Sequence, residues 1–180
     1  MVLLMKFTTK DLTAIATCSA FWAILNIIIS PIFWQLTHLP FFCDLLAFIS
    51  LILVVWQTQK FGSASLVGLV TTALTLVLRP GALHMLGFFV ASIIFDALTR
   101  ILGYTNLIEK KIISLIATIG FSTICAGIAG LIIGYFFMGF KTFISIIVFS
   151  GLHGVGGFIG GSIGFVLINA LKRRKIASIK

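Results

Sequence analysis

The chain has 180 residues, of which 60% are hydrophobic and only 9% are charged, with a formal net charge of +9. Soluble domains average about 25% charged residues, so this composition excludes an ordinary soluble domain. The length also leaves no room for a soluble domain beside a membrane bundle. We therefore expect one integral membrane domain over residues 1–180, with an all-α fold.

Six apolar runs follow one another along the chain, separated by short polar breaks such as Ser30-Pro31 and Arg79-Pro80-Gly81. A helix needs about 20 apolar residues to cross a bilayer, and shorter helices are tolerated where the bilayer thins. The sequence therefore predicts six transmembrane helices at about 12–29, 44–56, 62–78, 83–99, 112–138 and 142–171. The second is short, and the last is long enough to tilt or kink.

The basic residues orient these helices, because Lys and Arg accumulate in the short cytoplasmic loops of membrane proteins. With the N-terminus inside, only Arg79 and Lys141 fall outside. The remaining Lys and Arg lie inside: Lys6, Lys10, Lys60, Arg100, Lys110, Lys111, Lys172, Arg173, Arg174, Lys175 and Lys180. We predict a multi-pass protein of the cell membrane with both termini cytoplasmic. The net charge is then an orientation signal, strengthened by anionic lipid at residues 172–175, and not a sign of nucleic-acid binding.

The three cysteines, Cys18, Cys43 and Cys125, are widely spaced within apolar sequence. None forms a CxxC pair or a Cys/His spacing that would hold a metal, so we interpret them as packing residues and predict no metal site and no cofactor.

Small residues recur at helical spacing in three of the predicted helices. Such stripes mark helix contacts in lipid, where close backbone approach replaces the hydrophobic effect. The first helix carries Ala16, Ala20 and Ala23 on one face. The fifth and sixth helices carry glycines: Gly120, Gly127, Gly130 and Gly134 in one, and Gly151, Gly154, Gly156, Gly157, Gly160, Gly161 and Gly164 in the other. Each stripe is explained either by packing inside the bundle or by a surface for a ligand or partner.

Three segments together carry a family resemblance. Asp11–Asn26, with its AxxxA pair Ala16 and Ala20, resembles the opening helix of the substrate-binding S components of energy-coupling factor (ECF) transporters, the vitamin-uptake family. Lys60–Val70 resembles that family's entry to helix three, and Leu86–Asp96 resembles its helix four. The resemblance covers essentially the whole chain through motifs of low specificity.

The resemblance implies six helices, cytoplasmic termini and a substrate pocket at the outer face, covered by the loop between helices one and two. It also implies partners: a transmembrane T component and two cytoplasmic ATPases. By this likeness Ala16 and Ala20 would dock on the T component, with Ala23 extending the face. The implied substrate is a small water-soluble vitamin or precursor. Relatives that take nickel or cobalt use an early histidine, whereas this chain has no histidine before His38.

Polar side chains within the apolar sequence are the best pointers to a site, because a charge at mid-bilayer costs about 3 kcal/mol on insertion scales. Most fall in the predicted outer half, and we take as substrate-binding candidates Trp34, His38, Asp44, Arg79, His84 and His153. Simpler explanations stay open: an aromatic belt for Trp34, headgroup contact for Arg79 and a helix-start position for Asp44. His153 would otherwise bond to a neighbouring helix.

Two further polar positions have structural explanations. Asp96 and Arg100 are four residues apart and can pair on one helix face. Asn26 could either reach the outer pocket or hydrogen-bond across the bundle.

No nucleotide-binding loop accompanies the glycines, and Ser150 and His153 three apart on a helix are not a catalytic geometry, so we predict that the chain is not an enzyme. The alternatives to the binding subunit are a self-sufficient small channel or secondary transporter, built on glycine-rich broken helices, and a helper subunit of a membrane complex.

Overall fold

A computed structural model of the chain describes residues 7–174. Seven α-helices and no strand are found in this part of the chain, which confirms the all-helical prediction. The helices are α1 (Thr9–Thr37), α2 (Phe41–Thr58), α3 (Ser63–Leu78), α4 (Met85–Leu102), α5 (Tyr104–Glu109), α6 (Lys111–Ile132), which a π-helical turn (Ile133–Phe137) continues, and α7 (Phe143–Arg173). Lys6, Lys175 and Lys180, part of the predicted inside charge, lie outside the described residues.

Five of these helices are long and apolar enough to cross a membrane: α1, α2, α4, α6 with its π turn, and α7. The sixth predicted span, α3, is apolar but has only 16 residues. Many large apolar side chains point outward, for example Leu36 at 79% and Ile101 at 82% exposure. Polar side chains such as Asp44, Asp96 and Ser92 are instead fully buried. This distribution indicates a multi-pass membrane protein.

The prediction that the first helix ends before Pro31 is wrong. α1 continues through Pro31 to Thr37, where His38 caps it with a left-handed backbone (φ 55°). A proline inside a helix removes one backbone hydrogen bond, which membrane helices tolerate when a neighbouring group compensates. Ser30, directly before Pro31, donates its hydroxyl to the side-chain oxygen Oδ1 of Asn26, one turn back, at 2.9 Å. The predicted aromatic loop is therefore largely helical, and only residues 38–40 connect α1 to α2.

The short helix α5 was also missed, since the sequence predicted a loop over residues 100–111. Gly103, with φ 85°, ends α4, and α5 begins at the next residue.

The long helices form a closed ring in the order α1, α3, α4, α6, α7, α2. α2 also packs on α3 and is the most buried of the spans. Its side chains Phe48, Val54 and Val55 are fully buried, and Phe48 meets Phe95 of α4 edge-on at 5.8 Å. The apolar core therefore lies around α2.

Glycines set how closely α7 approaches its neighbours. A Cβ on Gly156 would lie 2.7 Å from Phe41 Cα, and one on Gly160 would lie 2.9 Å from Leu45 Cα, so α2 and α7 run in the same direction in close backbone contact. By contrast, a Cβ on Gly151 or Gly120 would meet nothing within 4 Å. Most of the glycine stripe of α7 is therefore internal packing.

Two aspartates connect neighbouring segments at the end of the bundle where α1 begins and α7 ends, which we call the terminal end. Asp11 caps α1 together with Thr8 and binds Lys60 Nζ at 2.6 Å. Asp96 Oδ2 accepts hydrogen bonds from the backbone amides of Gly62 and Ser65, at the start of α3.

The prediction that Asp96 pairs with Arg100 is wrong. The Arg100 guanidinium lies over the Phe61 ring, 4.5 Å from its centroid. The free N–H groups that begin α3 attract the carboxylate of Asp96 instead.

Candidate functional site

An ion pair between α2 and α7 lies in the bundle interior, towards the end opposite the terminal end. Asp44 is in the first turn of α2, and His153 is in the first half of α7. His153 Nδ1 lies 2.8 Å from Asp44 Oδ2 and 3.0 Å from Oδ1. The Asp44 side chain is 0% exposed, and the His153 side chain is 3% exposed. Two of the predicted site residues, 109 positions apart in the chain, thus meet directly.

The small residues around His153 make room for this contact. A Cβ on Gly130 of α6 would come within 2.8 Å of His153 Cβ, and a Cβ on Gly156 would come within 2.8 Å of Asp44 Cβ. Larger residues at either position would push α6 or α2 away from the imidazole. The glycines of α6 and α7 therefore place the ion pair as well as pack the helices.

Aromatic rings enclose the imidazole. The Phe149 ring lies 4.7 Å from it in an edge arrangement, and the Phe88 ring of α4 lies 5.8 Å away. Phe88 in turn contacts Trp22 of α1, with 6.1 Å between centroids. Phe88 and Phe149 are not among the residues predicted from sequence, although Phe149 precedes His153 by one helical turn and could have been found from that spacing.

The hydrogen bonding of the pair is incomplete. One proton lies between His153 Nδ1 and the Asp44 carboxyl group, donated by one of the two groups and accepted by the other. His153 Nε2 has no hydrogen-bond partner among the described residues, and Asp44 Oδ2 has none beyond its contact with Nδ1. Buried polar atoms are usually paired, and leaving one unpaired costs about 1–3 kcal/mol. Such a pair can therefore accept a further polar group with a gain in stability.

A second buried polar group lies on α1, against the start of α4. Asn26 Nδ2 donates to Met85 Sδ at 3.2 Å, and Asn26 Oδ1 accepts from Ser30. Asn26 is 3% exposed, so it joins α1 to α4 across the bundle. Of the two roles open for this residue, the structure shows the cross-bundle one.

His84 and Arg79 lie at the α3–α4 turn, near this site. His84 is half-buried, and burial, with the charge of Arg79 beside it, lowers the pKa of His84 to about 4. The imidazole is therefore neutral at pH 7. His153 is a further, weaker cause of this lowering of the His84 pKa. Arg79 is exposed.

Trp34 and His38 lie apart from the ion pair, at the end of α1. Their ring centroids are 6.1 Å from each other, and His38 is exposed while Trp34 is half-buried. At this end of α1 the contact with α2 is made by Phe33, which stacks on Phe42 at 5.1 Å and meets Phe41 at 5.3 Å. Substrate roles for Trp34 and His38 stay predictions.

The three alanines of α1 do not share one surface. Ala16 is exposed and Ala20 is half-buried, but Ala23 is only 3% exposed, inside the bundle. Ala16 and Ala20 are accessible from outside the chain, whereas Ala23 is not, because it faces its neighbouring helices.

Among the side chains that the structure describes, no group of three or more His, Cys, Asp or Glu could hold a metal ion. The Asp44–His153 pair offers hydrogen-bonding groups and contact with aromatic rings.

Comparison of the chain with protein-family models, with curated proteins and with solved structures finds no match.

Proposed function

We propose that the chain is a membrane-embedded substrate-binding subunit of an ECF-type importer. It captures a small vitamin or vitamin precursor at the outer face, and partner subunits then drive uptake with ATP. The sequence resemblance suggests this function, and one observation carries it further: the buried Asp44–His153 pair with its unpaired Nε2, enclosed by Phe88 and Phe149.

A pair of this kind suits a small aromatic or hydrogen-bonding substrate. Aromatic walls supply contact area, and a few placed polar groups orient the ligand, as in most small-molecule sites. The substrate would offer a hydrogen-bonding group to His153 Nε2, which is costly to leave unpaired in an apolar interior. Entry to the buried pair requires a rearrangement where α1, α2 and the α3–α4 turn meet, which is where Trp34, His38, Arg79 and His84 lie.

The partner subunits belong to the same proposal. A T component would dock on the exposed side of α1 at Ala16 and Ala20, where small side chains permit a close helix contact without a polar group in lipid. Two ATPases would supply hydrolysis. In this arrangement α3 is the sixth span, both termini are cytoplasmic, and the protein lies in the cell membrane.

The test is mass spectrometry of small molecules released from the gently purified chain, before and after incubation with a panel of water-soluble vitamins. We expect one vitamin-sized compound with the unmodified chain and its loss in His153→Ala and Asp44→Asn. Lys141→Ala, an exposed change in the α6–α7 connection, is the matched control and should retain it. An unmodified chain that stays empty after the whole panel would falsify the proposal.

The same ion pair keeps a second function open. A buried carboxylate and imidazole can exchange a proton, which is typical of self-sufficient secondary transporters. Substrate flux into liposomes that contain only this chain, abolished in Asp44→Asn, would favour that function. No flux without partner chains, together with tight substrate binding, favours the importer subunit.

A further inference from the structure

A groove of about 250 Å³ opens on the surface between α1 and α2, at the terminal end of the bundle. Lys10, Thr13, Ala14 and Thr17 of α1 line it, together with Gln57 of α2. Four of these five residues are polar, although most of the surface that lines the groove is apolar. The groove is well separated from the Asp44–His153 pair, which lies towards the opposite end.

Lys10 supplies an available positive charge to this groove. The neighbouring carboxylate of Asp11 is already bound by Lys60 and by Thr8, and no described carboxylate pairs with Lys10. Lys10 and the side-chain amide of Gln57 can both donate hydrogen bonds. The hydroxyls of Thr13 and Thr17 donate to backbone carbonyls of α1, which leaves their oxygens as acceptors. The groove therefore suits an anionic group that also carries hydroxyls.

The helix face that bears the groove changes character along its length. Lys10, Thr13 and Thr17 are followed on the same face, at further steps of three or four residues, by Phe21, Ile24 and Ile28. The last three are exposed, at 44%, 55% and 58%. The face is thus polar and cationic at the terminal end and apolar towards the middle of the helix. This gradient matches the gradient of a phospholipid from headgroup to acyl chain.

We propose that the groove is a binding site for an anionic phospholipid. The phosphate lies against Lys10 and Gln57, polar headgroup atoms reach Thr13 and Thr17, and an acyl chain follows Phe21, Ile24 and Ile28. Zwitterionic phospholipids fit less well, because their own ammonium group opposes Lys10. The proposal rests on the groove residues alone, and the occupancy of the site does not depend on a transported substrate.

The experiment uses the full chain in nanodiscs made of equal parts phosphatidylglycerol and phosphatidylcholine, followed by native mass spectrometry of the lipid retained after release. We expect preferential retention of phosphatidylglycerol. Lys10→Ala should weaken it about fivefold, because the direct contact between the ammonium group and the lipid phosphate is lost. Thr17→Phe fills the groove without removing a charge and should weaken it as well.

The matched control is Lys111→Ala, an equally exposed lysine that does not line the groove and lies at the start of α6, also at the terminal end. Lys111→Ala should leave the retention of phosphatidylglycerol unchanged. Equal losses of retention in Lys10→Ala and Lys111→Ala would show that the overall surface charge attracts the lipid, and would overturn the site. Added inorganic phosphate should not displace the lipid; displacement would assign the groove to free phosphate instead. Retention of neither lipid would also overturn the proposal. All variants should keep the melting temperature of the unmodified chain, so that a folding defect is distinguished from lost binding.

Discussion

Two ion pairs at opposite ends of the bundle show how differently a buried aspartate can be used. At the terminal end, Asp11 receives hydrogen bonds from Thr8 and Lys60, and the Lys60 side chain remains 26% exposed. In the interior, His153 is the one side-chain partner of Asp44 among the described residues, and the imidazole Nε2 has no partner among them. Oδ2 of the first carboxylate accepts three hydrogen bonds and ties α1 to the α2–α3 connection, whereas the second pair retains unused hydrogen-bonding capacity. An incompletely satisfied pair is the better candidate for a binding site.

Removing one partner of the interior pair should have the largest effect on stability. Asp44→Ala leaves His153 without its carboxylate in an apolar interior, and we expect a loss of about 3–5 kcal/mol in the free energy of unfolding. Unfolding of the purified protein in detergent, followed by circular dichroism, measures it. The double variant Asp44→Leu with His153→Leu should recover most of the loss, since no unpaired polar group remains. A double variant as unstable as the single one would contradict this account.

The close approach of α2 and α7, which holds the interior pair, can be tested at glycine. Gly160→Ala places a Cβ 2.9 Å from the Leu45 backbone, so we expect a loss of about 1–3 kcal/mol from overpacking. Gly151→Ala is the matched control in the same helix, because its Cβ meets nothing within 4 Å. It should be neutral or stabilising by up to about 1 kcal/mol, through higher helix propensity. Equal effects of the two substitutions would show that the glycines do not set the helix distance.

The pH dependence of stability should include a contribution from His84 beside the interior pair. Its pKa is lowered to about 4 in the folded chain from an ordinary value of 6.5. The unfolded chain therefore binds a proton on this residue between pH 6.5 and 4 while the folded chain does not. Stability should fall as the pH is lowered through this window and level off below it. In His84→Gln the part of the fall in stability between pH 6.5 and 4 that is due to His84 should disappear. Melting temperatures of the unmodified chain and of the variant across this pH range measure the difference. Parallel pH profiles would exclude His84 as a source.

Weakening the pair at the terminal end should have the smallest effect. Lys60→Gln removes a partly exposed charge, and Asp11 keeps its bonds to Thr8, so we expect a loss of about 1 kcal/mol or less. Added salt should reduce the difference in the free energy of unfolding between this variant and the unmodified chain, because salt screens an exposed ion pair more than a buried one. A loss as large as that of Asp44→Ala would mean that the two pairs do not differ in the way described above.

Several candidate residues could be named from sequence, but their partners could not. Asp44 and His153 were identified because each is polar in an apolar run, yet no local spacing connects them. Asp96 and Arg100 do have a helical spacing, and there the local rule fails, because Asp96 binds the exposed amides at the start of α3 instead. A local pairing competes with every group that the fold brings nearby, so spacing alone does not decide it.

The break predicted at Pro31 failed for a related reason. In water a proline usually ends a helix, because it has no N–H to bond the carbonyl one turn earlier and water readily solvates that carbonyl once the helix ends. In α1 the helix continues because an apolar environment penalises unpaired backbone groups and because Phe33 packs on Phe41 and Phe42.

The sequence by itself determined the membrane class and the approximate positions of the main helices, since hydropathy and length act locally along the chain. The tertiary structure decided which polar groups meet and which small residues are contact points. Asp44 finds His153, and Gly160 is packed while Gly151 is free, because these outcomes depend on which helix faces oppose one another. That choice is made by close packing over the whole bundle, and no segment of the sequence encodes it alone.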